Sequence, residues 1–170
     1  CWSAACADGR EPYSIAMLAR DDPDIRERSI EITATDIDAE ILETAREGVY
    51  ESTRTTDIGE QLEPLSTPEE HVDIDADARS FGVRDRVKRM VSFEQHDLIS
   101  GTPKRGYDLV LCRNLLIYID SSYKTPIFET LTAAVEADGF LTIGKSETLP
   151  RSFRAEYDAY DRSNHIYRRE

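Results

Sequence analysis

Trp2-Ser3-Ala4-Ala5-Cys6-Ala7-Asp8-Gly9-Arg10-Glu11-Pro12-Tyr13-Ser14-Ile15-Ala16 is the stretch on which the fold turns. It opens small and apolar, passes through Asp8, Gly9 and Glu11, and continues with apolar residues at helical spacing. That order reads as strand, tight loop, helix. Pro12 suits a first helical turn, where its missing N–H is no loss, and Ile15, Leu18 and Ala19 fall on one helical face.

Working outward, Ser29 to Thr35 reads as a second strand ending at Asp36-Ile37-Asp38, and a helix with Ile41, Leu42 and Ala45 as its buried stripe runs to a stop at Gly48. Further strands are predicted at Met90 to Phe93, running into His96-Asp97-Leu98-Ile99, and at Tyr107 to Cys112. Arg113-Asn114-Leu115-Leu116-Ile117-Tyr118 follows, and apart from any motif Tyr118 reads as an ordinary, partly buried tyrosine at a helix start. The helix, Ser122 to Glu136, stops at Asp138-Gly139, and Phe140 to Ile143 is the next strand. Phe153 to Tyr160 and His165 to Arg168 form a closing hairpin. The alternation predicts an α/β, Rossmann-like, doubly wound, mostly parallel sheet with an antiparallel C-terminal hairpin, all in one domain. Between Tyr50 and Val87 the pattern breaks. Pro64, Pro68, many acids and pieces such as Val72-Asp73-Ile74 read as an irregular insertion holding a small sheet or a helix pair, with Thr67 to Ala78 a flexible loop.

Composition narrows the function classes. Lys and Arg number 21 against 34 Asp and Glu, a formal net charge of -13, so the clustered cations that phosphate backbones require are lacking and nucleic acid is excluded as a partner. The carboxylates are dispersed. A solvated surface and adaptation to a salt-rich cytoplasm both account for them. Cys1, Cys6 and Cys112 have no metal-ligand spacing with His71, His96 or His165, so no metal is expected and the cysteines read as reduced thiols of a cytoplasmic protein. No apolar run approaches the ~20 residues needed to cross a bilayer, so no membrane insertion is expected. The chain opens in mid-strand without an initiator Met, which predicts a native protein extending further toward its N-terminus.

In a doubly wound sheet, ligands bind beyond the carboxyl ends of the strands, and there the polar residues gather: Asp8 to Glu11, Asp36, Asp97-Leu98, Asn114 and Tyr118. A carboxylate after the second strand accepts hydrogen bonds from a ribose diol. Alone, Asp36 is better read as a helix cap, a role open to Asp38 as well. A dinucleotide would need three glycines after the first strand, and this loop has only Gly9. S-adenosylmethionine carries no phosphate and suits the loop better.

Four segments in order, Trp2 to Ala16, Ala34-Thr35-Asp36-Ile37-Asp38, Cys112 to Tyr118 and Gly144-Lys145-Ser146-Glu147, resemble the chemotaxis receptor methyltransferases of the CheR family. The resemblance covers the chain apart from its irregular middle. It implies a class I methyltransferase fold and a protein-glutamate O-methyltransferase that esterifies glutamates on the cytoplasmic domains of chemoreceptors, with S-adenosylmethionine as cofactor and S-adenosylhomocysteine as product. It matches Glu11 and Asp36 to the cofactor-binding acids, Asp97 and Leu98 to the adenine contact, Asn114 and Leu115 to the next cofactor segment, and Tyr118 to a tyrosine near the transferred methyl. It also implies an N-terminal helical domain with a catalytic arginine, absent from this chain, and a receptor-docking β-subdomain where residues 50–87 lie.

The chemistry agrees with that inventory. A glutamate carboxylate, with a pKa of about 4.3, is ionised at neutral pH, so no general base or metal is required. Departures from the family pattern stand at Arg10 and Asp97, which replace an acid and an Asn, and at Lys145, which replaces a His. A methyltransferase of the same build with another substrate, and a module that binds cofactor or receptor without turnover, are the alternative readings.

Overall fold

The structure is a computed structural model describing residues 1–75, 77 and 79–170. In chain order its elements are β1 (Trp2–Ser3), α1 (Arg10–Asp21), β2 (Ile32–Asp36), α2 (Ala39–Glu47), β3 (Val49–Glu51), α3 (Ile58–Leu62), β4 (Val72–Asp75), β5 (Ser80–Val83), α4 (Asp85–Lys88), β6 (Val91–Gln95), β7 (Tyr107–Cys112), α5 (Ser121–Ala134), β8 (Val135–Ile143), β9 (Tyr157–Asp161) and β10 (Ile166–Arg169). Seven strands form one sheet in the order β6-β2-β1-β7-β8-β10-β9. The first five pair parallel, and β8, β10 and β9 pair antiparallel, as the alternation predicts. From β1 the chain builds outward to β2 and β6, then returns to add β7 on the other side. The order therefore reverses between β1 and β7, and the crevice at that switch point is where such sheets take ligands.

Burial on both faces explains the short apolar strands. Trp2, Val110, Cys112, Leu141 and Ile143 pack with Ile127, Phe128 and Leu131 of α5. Ile32, Ala34 and Val91 pack with Tyr13, Ala16 and Met17 of α1 and Leu42 of α2. The buried stripe of α1 is thus Tyr13, Ala16 and Met17 with Pro12 and Ala19, while Leu18 is half exposed. Helix α1 also starts two residues before Pro12, capped by Gly9. In α2, Leu42 and Ala45 are buried and the helix ends at Gly48, as expected, with Ile41 at its margin.

Two departures have a common cause in backbone pairing. The helix expected to reach Glu136 stops at Ala134, because Val135 already pairs with Tyr107 and a bulge opens before Leu109 meets Phe140. Residues 136–139, read as a helix end, are the irregular start of β8. The middle segment, read as an irregular insertion with a small sheet or a helix pair, holds the sheet, three antiparallel strands in the order β3-β5-β4, together with the short α3. Of the stretch expected to be a flexible loop, Pro68–Glu70 is a helical turn and Val72–Asp75 is a strand, while Ala76 and Ala78 lie outside the described residues. Among the described residues no helix is long and apolar enough to cross a membrane.

Candidate functional site

The loop from Ala4 to Gly9 is held in place by its neighbours on both sides. Ala4 N–H donates to the Leu111 carbonyl and Cys6 N–H to that of Thr35, carrying the pairing of β1 past its last residue. Gly9 takes φ 86°, and a Cβ there would lie 2.9 Å from Ala45 Cβ and 3.1 Å from Phe93 Cζ. Its missing side chain therefore seats the loop on α2 and β6. The loop's glycine faces the protein rather than a ligand, which explains why one suffices.

Asp36 ends β2 and turns back to this loop. Its Oδ2 accepts from Ala7 N–H at 2.9 Å and its Oδ1 from Asp38 N–H at 3.1 Å. The cap of α2 is Asp38, which accepts from the amides of Glu40 and Ile41. Asp36 is thereby freed from capping, and each of its oxygens retains a lone pair for a further donor. Glu11, in the first turn of α1, accepts from Ser3 Oγ at 2.7 Å and faces Arg113 at 3.9 Å. Burial raises its pKa above the usual carboxylate value, with the Ser3 hydrogen bond and the Arg113 charge opposing the rise.

These groups line a continuous trough. One end is an apolar cavity of about 110 Å3 bounded by Ala4, Ile37, Leu98, Ile99 and Leu115, with Asp36, His96 and Asp97 at its edge. The other is an open cavity of about 440 Å3 lined by Asp8, Glu11, Arg113 and Asn114. Ala5, Asp36 and Leu115 line both and join them. A larger cavity, about 780 Å3, sits at the opposite end of β1 and β7 beside Leu18, Ile25 and Tyr107, away from these acids.

Six of the seven residues singled out in the sequence, Glu11, Asp36, Asp97, Leu98, Asn114 and Leu115, thus meet in one trough. Tyr118 stands apart. It is 81% exposed on the loop after β7 and lines neither cavity. Asp97 lies at the edge, but its carboxylate is engaged by its own turn, accepting from Ile99 N–H at 2.8 Å and Ser100 Oγ at 2.5 Å, which lowers its pKa.

Sequence reading missed His96, Ile37 and Ile99. His96 lines the apolar cavity, stacks edge-on to Trp2, and has a buried Nε2 without a hydrogen-bond partner among the described residues. Burial and the nearby Lys104 lower its pKa, so it is neutral at pH 7. The available signal was position alone: Ile37 and His96 directly follow the ends of β2 and β6, and Ile99 lies four residues past β6.

An apolar slot for a base, a carboxylate at its edge for a diol, an unsatisfied imidazole nitrogen and a second acid in the open half fit the donors and the aromatic face of S-adenosylmethionine. Comparisons with known proteins agree. The chain is 32% identical over 166 residues to a chemotaxis protein methyltransferase of Listeria monocytogenes, covering 98% of this chain and 59% of that protein. It is 36% identical over 152 residues to one of Vibrio parahaemolyticus, covering 87% and 54%. The chain thus spans little more than half the length of these relatives. In fold it is similar to a TehB-like SAM-dependent methyltransferase of Corynebacterium glutamicum (TM-score 0.53, 11% identity, 99% of this chain and 76% of that one). The glycopeptide N-methyltransferase MtfA complexed with S-adenosylmethionine is also similar (TM-score 0.52, 12% identity, 84% and 45%). Residues 1–164 match the description "CheR methyltransferase, SAM binding domain", and the chain belongs to that family.

Proposed function

We propose that this chain is the cofactor-binding catalytic domain of a protein-glutamate O-methyltransferase that methylates chemoreceptors in the cytoplasm. The observation that carries the reading is the trough, in which an apolar slot and two differently placed acids share one surface. In this reading the adenine lies between Ile37 and Ile99 beside His96, Asp97 and Leu98. Asp36 accepts from the ribose hydroxyls, and Glu11 with the Asn114-Leu115 segment holds the amino-acid tail.

When bound, the cofactor supplies an electrophilic methyl on a sulfonium. The residues then have two tasks, to orient and to exclude water, since a glutamate carboxylate is already a nucleophile at pH 7. Tyr118, exposed on the loop that borders Asn114, is assigned to the entry side, where a receptor segment closes over it. The sheet β3-β5-β4 is assigned to receptor docking. Methylation is tested with labelled cofactor, receptor cytoplasmic fragments and the protein at the full length of its relatives. Base-labile label on glutamate is the expected result. Label on a different residue type, or none, overturns the receptor reading.

A further inference from the structure

Among the described residues Glu147 is the one fully buried carboxylate, 5% exposed, and none of the ion pairs found includes it. Burial of an ionised group without a cation is costly unless its oxygens are used by donors. Here they are. Oε1 accepts from Leu116 N–H at 2.6 Å and Oε2 from Gly144 N–H at 2.7 Å. Those two amides belong to different loops, one after β7 and one after β8, both at the carboxyl end of the sheet.

The same two loops touch directly. A Cβ on Gly144 would lie 2.7 Å from Glu147 Oε2, 2.8 Å from Asn114 N and 3.0 Å from Asn114 Oδ1. No side chain fits at that approach. Asn114 itself takes φ 61°, in the left-handed region that asparagine tolerates better than most residues. Glu147 is anchored in turn, since its carbonyl accepts from His165 Nδ1 at 2.6 Å, at the turn before β10.

We propose that Glu147 is a positioning residue for the cofactor trough: its carboxylate latches the β8 loop onto Leu116 and thereby holds Asn114 and Leu115, the two residues before it, against the trough. The inference rests on the reading of that trough as the cofactor site. It also accounts for the residue type. A glutamine would bring an NH2 donor against one of the two amides, so Glu147→Gln breaks half of the latch while keeping the volume.

The test titrates S-adenosylhomocysteine by calorimetry into the chain and three variants, with thermal stability measured in parallel. Glu147→Gln is expected to weaken binding about tenfold, the scale of one charge-assisted hydrogen bond. Leu131→Ala, a core change that removes neither hydrogen bond of Glu147 and alters no residue lining the trough's two cavities, is expected to lose stability and keep its affinity within about twofold. Asp36→Ala reports on the trough itself. Weakened binding in Asp36→Ala with unchanged binding in Glu147→Gln overturns the latch alone. Unchanged binding in both overturns the trough reading with it, and equal weakening in Leu131→Ala reduces the effect to stability and overturns the latch too. Should Glu147→Gln fail to fold, amide exchange of Leu116 in the unaltered chain decides: slower exchange on adding S-adenosylhomocysteine is expected, and an unchanged rate overturns the proposal.

Discussion

At Asp36, capping a helix and holding a ligand compete, and the neighbour two residues on decides between them. Asp38 takes the α2 amides, so Asp36 keeps its carboxylate on the loop at Ala7 and on the trough. Spacing alone favours the cap for either residue, because both lie within reach of the same first turn. Glu11 shows a second conflict. Its burial raises the pKa, so the folded chain holds its proton to higher pH than the unfolded chain does, and the stability tied to that proton is lost as pH rises past the usual carboxylate value. A cofactor ammonium needs the opposite, ionised form. Lowering the pH through the raised pKa should therefore weaken S-adenosylhomocysteine binding while the fold holds, and Glu11→Gln should bind weakly at pH 7 with a flat profile. Calorimetry across that range checks it, and an equally steep profile in Glu11→Gln would exclude Glu11 as the titrating group.

The elements differ in how openly they are written in the sequence. β7 and α2 were legible to within a residue or two, because Tyr107 to Cys112 is a buried run and Gly48 a clear stop. For the middle segment a small sheet stood beside a helix pair as a reading, but the strands β3, β4 and β5 themselves were not legible, because they have three or four residues and only Val72 of β4 is buried, leaving Asp73, Ile74 and Asp75 outward without alternation. What fixes that sheet is tertiary. Asp21, the last residue of α1, accepts from Ser66 N–H at 2.7 Å and from Thr67 N–H and Oγ1 at 3.2 Å, and lies 3.4 Å from Nε2 of His71, which is 2% exposed. Those amides hold the Asp21 carboxyl down to about 2. Its contribution is present above the ordinary value near 4 and lost as pH falls through about 2. Asp21→Asn should speed amide exchange at Ser66 and Thr67 at neutral pH while leaving β7 protected. Uniform loss of protection would mean that the small sheet is not a separable unit. Gly9→Ala meets both a positive φ and Ala45, and should cost about 1–3 kcal/mol in denaturant unfolding. A favourable coupling with Ala45→Gly in a double-mutant cycle, which subtracts that glycine's own cost inside α2, is expected, and none would place the whole cost in the backbone.

For the molecule as a whole, the parallel sheet followed from the alternation of apolar runs with helical spacing, and the switch point between β1 and β7 explains why Glu11, Asp36 and Asn114, far apart in sequence, meet. What could not be read was the role of residues whose partners are distant amides or cavities. Glu147 depends on Leu116, 31 residues away, and His96 on a cavity assembled from four strand ends. Neither relation leaves a period in the sequence. The central claim is that the trough joined at Asp36 holds S-adenosylmethionine. It is tested most directly by titrating S-adenosylhomocysteine into the chain and into Asp36→Ala by calorimetry. The account expects one site, weakened by ~1 kcal/mol or more in the variant, about fivefold in affinity. Equal affinities for the two proteins would contradict it.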